Sequence, residues 1–240
     1  MEINKEDLEL CIKKLPTTVK QILQDYPNKC IVAGGYIRDT INEDKVSDID
    51  IFFTDPSLVE EILEKYYKKD KEDNSSTSSI MNSITRYIEN TKNNKILFNS
   101  PNAITVEDEG YNVQLIKKWT LEDVKDILNI FDFIISCAGI WYNGNEWQSI
   151  REVGYYSNLK EKKLSYLNPS KETNCLGSIL RVIKLRAKGY TIGFNDLSFL
   201  LARYYSELQG LDDSKKIELK LEIHNQLTSN FTDFYGPNGK

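Results

Sequence analysis

The stretch IVAGGYIRDTINEDKVSDIDIFF, residues 31–53, decides how this chain is read. Gly34 and Gly35 end one apolar run, and Asp48 and Asp50 stand two residues apart on the next. "CIVAGG" has the length and composition of a short buried strand ended by glycines. "YIRDTIN" then returns to helical spacing, and "SDIDIFF" alternates into a second strand. Side chains alternate faces along a strand, so Asp48 and Asp50 leave the same face, about 7 Å apart along the backbone. Two acids on an otherwise apolar strand are costly to bury uncompensated. Divalent cations supply that compensation: Mg²⁺ suits carboxylates plus substrate phosphates, and a pair of such ions serves in-line phosphoryl displacement. Glycines between strand and helix let backbone approach a phosphate. Arg38, three residues after the second glycine, can fork onto phosphate oxygens. The plainer alternatives are a solvent-facing strand edge for the two aspartates and, for Arg38, an ion pair with Asp39 or Glu43 on its own helix.

Outward from this stretch, residues 6–15 and 18–25 carry helical spacing, separated by Pro16. "PSLVEEILEKYYKKD" reads as a helix with Pro56 near its start. Residues 70–79 form a polar, serine-rich loop, followed by a weak helix over 80–88. "KILFNS", "AITVED" and "YNVQLIKK" are strands, the last two joined by a turn at Glu109 and Gly110. "TLEDVKDILN" fits a helix capped by Thr120, and "FDFIISCAGIWYNGNEW" is an apolar strand or buried helix leading into a hairpin turn at Asn143 and Gly144. From about residue 159 the patterns are helical. This gives a head of strands and helices over residues 1–157 and a small all-helical domain over 158–240.

Composition removes several chemistries. Cys11, Cys30, Cys137 and Cys175 lie far apart with no C-x-x-C pair, so zinc and redox spacing are absent and buried thiols are expected. His224 is the sole histidine, in a polar C-terminal segment, which excludes mechanisms that need a histidine pair. With no signal-like or bilayer-length apolar run, the chain reads as soluble and cytoplasmic. A net charge of −5 argues against blanket adhesion to nucleic acid and leaves room for a local basic patch. Arg181, Lys184 and Lys188, with Arg186 beside them, are candidates for such a patch or for a solvated face. Trp119, Trp141 and Trp147 are read as packing residues, with base stacking as the alternative.

"GGYIRDTINEDKVSDID" resembles the G-G-x-V-R-D and D-x-D signature of the nucleotidyltransferase head shared by tRNA CCA-adding enzymes and poly(A) polymerases, in the DNA polymerase β superfamily. "FDFIISCAG" resembles the segment closing that head, and "SILRVIKLRAKGYTI" the start of the helical neck. The resemblance implies an α+β fold: a polymerase β-like head, a mixed sheet flanked by helices, followed by a small all-helical neck. It also implies Mg²⁺-dependent transfer of NMP from ATP or CTP to an RNA 3′-OH, tRNA foremost, with pyrophosphate leaving. By it, Asp48 and Asp50 are catalytic and hold two Mg²⁺ ions. Gly34, Gly35 and Arg38 hold the triphosphate, Asp132 orders the nucleotide, Arg181 coincides with a neck arginine, and Asp39 is a buried structural partner. The chain also departs from the family. Gln114 aligns with the third carboxylate, for which Glu107, Asp108 or Glu109 are the candidate substitutes. Asn174, Cys175 and Ser178 replace the base reader, and Ile130, Phe131 and Ser136 replace two arginines and an asparagine. These departures raise two alternatives, toxin-like NMP transfer to protein or tRNA and a non-catalytic nucleotide- or RNA-binding module.

Overall fold

A computed structural model describes residues 1–67, 96–167, 175–217 and 221. The expected loop over 70–79, the helix over 80–88, Asn174 and His224 lie outside the described residues. The chain divides into two compact units: unit 1 comprises 1–128 and 136–152, and unit 2 comprises 129–135 and 153–240.

Unit 1 is built on a seven-stranded mixed sheet. Its strands are β1 (Cys30–Ala33), β2 (Asp48–Phe53), β3 (Ile96–Asn99), β4 (Ala103–Asp108), β5 (Tyr111–Thr120), β6 (Ala138–Tyr142) and β7 (Trp147–Arg151), in the order β3-β4-β5-β2-β1-β6-β7. Only β2 and β5 pair in parallel; every other neighbouring pair is antiparallel. Ile31, Val32, Ile49, Ile51, Val113 and Leu115 are fully buried, so the central strands supply the core. Helices α1 (Lys5–Lys14), α2 (Thr17–Asp25), α3 (Gly35–Ile41) and α4 (Leu58–Ile62) flank the sheet, and α4 continues as a π-helical turn, Leu63–Tyr67. Val19, Ile22 and Leu23 of α2 are buried at the i, i+3, i+4 spacing of one apolar face.

Two local expectations are corrected. Thr120 is the last residue of β5 rather than a helix cap, and the helix expected there is a six-residue 3₁₀ segment, Val124–Asn129. Backbone amides of Asp123 and Lys125 bond to the carboxylates of Asp126 and Asp123, which favours a tight turn over a longer helix. "FDFIISC" forms a single 3₁₀ turn, Ile134–Ser136, before the β6–β7 hairpin, whose Gly144 has φ 104°.

Unit 2 carries α5 (Tyr155–Lys160), α6 (Cys175–Ala187) and α7 (Phe194–Gln209). Between them lies one short parallel pair not visible as a sequence pattern, β8 (Lys163–Leu164) with β9 (Thr191–Ile192). Two-residue strands have no periodicity to read. Among the described residues no helix is long and apolar enough to cross a membrane.

Candidate active site

Register alone assembles the site in unit 1. Ala33 at the end of β1 pairs with Asp50, so the Gly34–Gly35 turn falls beside the Asp48 end of β2. Gly34 has φ 85° and ψ −133°, a conformation open essentially to glycine, and its amide bonds to the Ala138 carbonyl at 3.1 Å. The chain therefore reverses sharply from β1 into α3. A Cβ on Gly35 would lie 3.3 Å from Arg38 Nη2, so the guanidinium is packed beneath the turn.

Arg38 is buried and paired with Asp39, Nε to Oδ1 at 2.8 Å and Nη2 to Oδ2 at 3.0 Å. This is a bidentate fork that uses one edge of the guanidinium and fixes its plane. Asp39 is itself buried in α3. The pairing of the two neighbours is the salt bridge weighed as the plainer reading of Arg38.

On β2, Ile49 and Ile51 are fully buried while Asp48 and Asp50 are half-buried on the other face. The parallel ladder to β5 sets Asn112 opposite Asp48 and Gln114 opposite Asp50. The antiparallel ladder to β4 then sets Thr105 opposite Gln114 and Glu107 opposite Asn112. Laddered partners share a face, so Asp48, Asp50, Asn112, Gln114, Thr105 and Glu107 form one polar strip across three strands. Asn112 was missed in the sequence, although the N-x-Q spacing of β5 repeats the D-x-D spacing of β2.

The three substitute acids separate. Asp108 is buried on the opposite face, where Thr18 Oγ1 and the Tyr67 hydroxyl donate to it at 3.2 Å each. Glu109 accepts the backbone N–H of Thr17 at 3.0 Å, at the start of α2. Both tie the β4–β5 turn to its surroundings and do not face the strip. Glu107 is on the strip, but two strands from the aspartates, about 10 Å at the usual spacing, and its Oε1 accepts the Gly110 amide at 2.8 Å. Gln114 thus holds the position beside Asp50. Among the described residues no group of three histidines, cysteines or acids converges as a metal cluster. The donor set offered is two carboxylates and a side-chain amide oxygen, all hard oxygen ligands. It fits Mg²⁺, a cation commonly held by one or two carboxylates with waters and substrate phosphates completing the shell.

Unit 2 holds the remaining sequence candidates. Asp132 is 2% exposed, and Arg181 donates to its Oδ2 from Nε and Nη2, each at 2.6 Å. The fold thus pairs these two residues with each other across 49 positions of sequence. Arg181 keeps about half of its side chain exposed, at 47%. Cys175 and Ser178, which the sequence resemblance sets against the base reader of CCA-adding enzymes, are 0% and 1% exposed and so are closed to a base.

Three solved structures put this geometry among known folds. A Thermotoga maritima CCA-adding enzyme complexed with tRNA is similar at a TM-score of 0.50 and 18% identity, over 83% of this chain and 45% of that one. A CCA-adding enzyme with CTP gives 0.51 and 16%, over 90% and 48%. One with ATP gives 0.50 and 16%, over 88% and 49%. The chain spans about half the length of these structures, and at such identity the likeness is one of fold: unit 1 has a nucleotidyltransferase-like architecture. No curated protein matches by sequence. The family described as "Gad2: Gabija anti-defense 2 family protein" matches residues 2–162, which take in the whole glycine turn, the aspartate strand and all seven strands of the sheet. With well over half of its length matched, the chain belongs to the Gabija anti-defense 2 family.

Proposed function

We propose that this chain is a Mg²⁺-dependent nucleotidyltransferase that moves NMP from an NTP onto a hydroxyl group. The observation carrying the reading is the polar strip: Asp48 and Asp50 on one face, alongside a glycine turn backed by a fixed arginine. Asp48 and Asp50 hold the ions, with the Gln114 amide oxygen beside Asp50. When bound, Mg²⁺ supplies charge stabilisation to the attacking and leaving oxygens. Arg38, its plane set by Asp39, orients the phosphates, and Gly35, without a side chain, lets them approach. The acceptor oxygen forms a bond to the α-phosphorus as the α–β bridging bond breaks. Pyrophosphate leaves with that bonding pair and the hydroxyl proton passes to solvent. No histidine is required.

For the acceptor, the resemblance to CCA-adding enzymes favours an RNA 3′-OH, with tRNA as first candidate and ATP or CTP as donor. A second reading has its own observation: Cys175 and Ser178, two of the three residues aligned with the base reader, are buried, and the family is named for counter-defence. In that reading the acceptor is a protein hydroxyl of the defence system.

The test is label transfer from each α-³²P-NTP with Mg²⁺, onto tRNA lacking its 3′-CCA and, separately, onto protein of a host carrying the defence system. The Asp48→Asn/Asp50→Asn variant serves as blank. Loss of about a hundredfold or more in the variant is expected for removal of a transition-state charge clamp. Undiminished transfer by the variant, or none by the wild-type chain with any NTP, would refute the reading. The second outcome would leave a nucleotide-binding module.

A further inference from the structure

We propose that the surface around β8 and β9 in unit 2 binds the phosphate backbone of single-stranded RNA by charge, without reading bases. The choice of RNA over another polyanion rests on the transferase reading above; the surface itself rests on geometry. Two chain segments meet there. The Thr191 amide donates to the Lys162 carbonyl at 2.8 Å, Lys163 pairs with Thr191, and Lys162 Nζ donates to the Lys188 carbonyl at 3.3 Å. The aliphatic stem of Lys162 lies 3.6 Å from where a Gly189 Cβ would be, and its ammonium stands over the Tyr190 ring.

This packing brings the segment that follows α5, with Lys160, Lys162 and Lys163, against the residues that follow α6, whose last turn carries Lys184 and Arg186 on two different faces. All five are exposed. Two helix C-termini converge here, and their negative ends offset the mutual repulsion of the cations. Lys160, Lys163, Lys184 and Arg186 form no ion pair with a described residue. Glu161 is the one acid within this run of the α5 end. The charge is also segregated over the molecule: among described residues, acids outnumber cations in unit 1 and cations outnumber acids in unit 2. A polyanion is therefore repelled by the first and attracted by the second. Since Cys175 and Ser178 are buried, what unit 2 offers an RNA here is backbone charge rather than a base-edge code.

Three such contacts to a single strand give a log–log salt slope of about −2, or about a 20-fold loss of affinity on a fourfold rise in salt. The experiment is fluorescence anisotropy with a labelled 20-nucleotide oligo(U) RNA at 50 and 200 mM NaCl, on the full chain. The variant Lys163→Glu/Lys184→Glu/Arg186→Glu is expected to bind at least about tenfold more weakly and to lose most of the salt slope. Lys13→Glu/Lys14→Glu on α1 is expected to bind as the parent does. Should the reversed variant misfold by circular dichroism, Lys163→Gln/Lys184→Gln/Arg186→Gln replaces it with the same expectation. The Asp48→Asn/Asp50→Asn protein is expected to keep its RNA affinity, which separates this proposal from the transferase reading. The proposal is overturned by absence of binding, by equal losses in the unit 2 and α1 variants, or by polyglutamate of matched charge competing as well as unlabelled RNA.

Discussion

Arg38 and Asp39 are adjacent in sequence and buried together, a compact way to keep a guanidinium under a backbone turn. Burying either alone would strand a charge, whereas together they neutralise and orient one another. Asp39→Ala is accordingly expected to destabilise unit 1 by about 3–5 kcal/mol, measured by urea denaturation. Removing both charges at once, as Arg38→Met/Asp39→Ala, is expected to cost less than the single change. A merely exposed pair would give under about 1 kcal/mol for either. Gly34 is fixed by a different cause: its positive φ, combined with a ψ no side chain tolerates well, makes it the one residue of this turn that backbone geometry selects.

At the scale of elements, the β2–β5 ladder decides the character of the site. It sets an amide, not an acid, beside Asp50. Gln114→Glu adds a third carboxylate at that place. Without metal, the like charge opposite Asp50 is expected to lower the melting temperature. With Mn²⁺ the loss is expected to reverse, with metal affinity raised about tenfold, as read by calorimetry and by melting. An unchanged metal response would show that Gln114 does not face the ion. A second contact joins α2 to the π-turn after α4: Asp25 accepts from Lys65, from the Tyr66 hydroxyl and from Gln21. These partners, Lys65 first, hold its carboxyl down at about 2 from an ordinary 3.8. A lowered folded-state value stabilises above the unfolded one, and the gain disappears as pH falls from about 4 through 2. Asp25→Asn is expected to flatten the acid limb of stability in that window and to change little at pH 7 beyond the loss of an exposed pair.

Over the whole molecule, the four cysteines are free and buried. Burial pushes the Cys11 and Cys30 thiols up to about 12 and Cys175 to about 11. The native chain is expected to leave a thiol reagent unreacted at pH 8 over the time in which the urea-unfolded chain titrates all four. Fast labelling of any one in the native protein would contradict this burial. Beside β7 the N-terminal residues are fastened by bonds from the Arg151 amide to the Met1 carbonyl and from the Ile3 amide to Ser149 Oγ, which occupy that edge.

The sequence by itself determined the strand–glycine turn–helix–strand order of residues 30–53, because periods of 2 and 3.6 and the φ demands of glycine are local properties. It also determined that Asp48 and Asp50 share a face, since alternation along a strand needs no partner. The mixed sheet flanked by helices was expected only through the resemblance carried by the glycine turn and the D-x-D, since local periods do not say which strands pair in parallel. The tertiary structure alone decided which of Gln114, Glu107, Asp108 and Glu109 neighbours the aspartates, because strand register depends on cross-strand packing and one residue of slip moves every side chain to the other face. It alone paired Asp132 with Arg181 and turned Cys175 and Ser178 inward, contacts spanning distances in sequence that no period encodes. It also brought the lysines of the α5 end to those of the α6 end through two strands of two residues each, too short to leave a pattern in the chain.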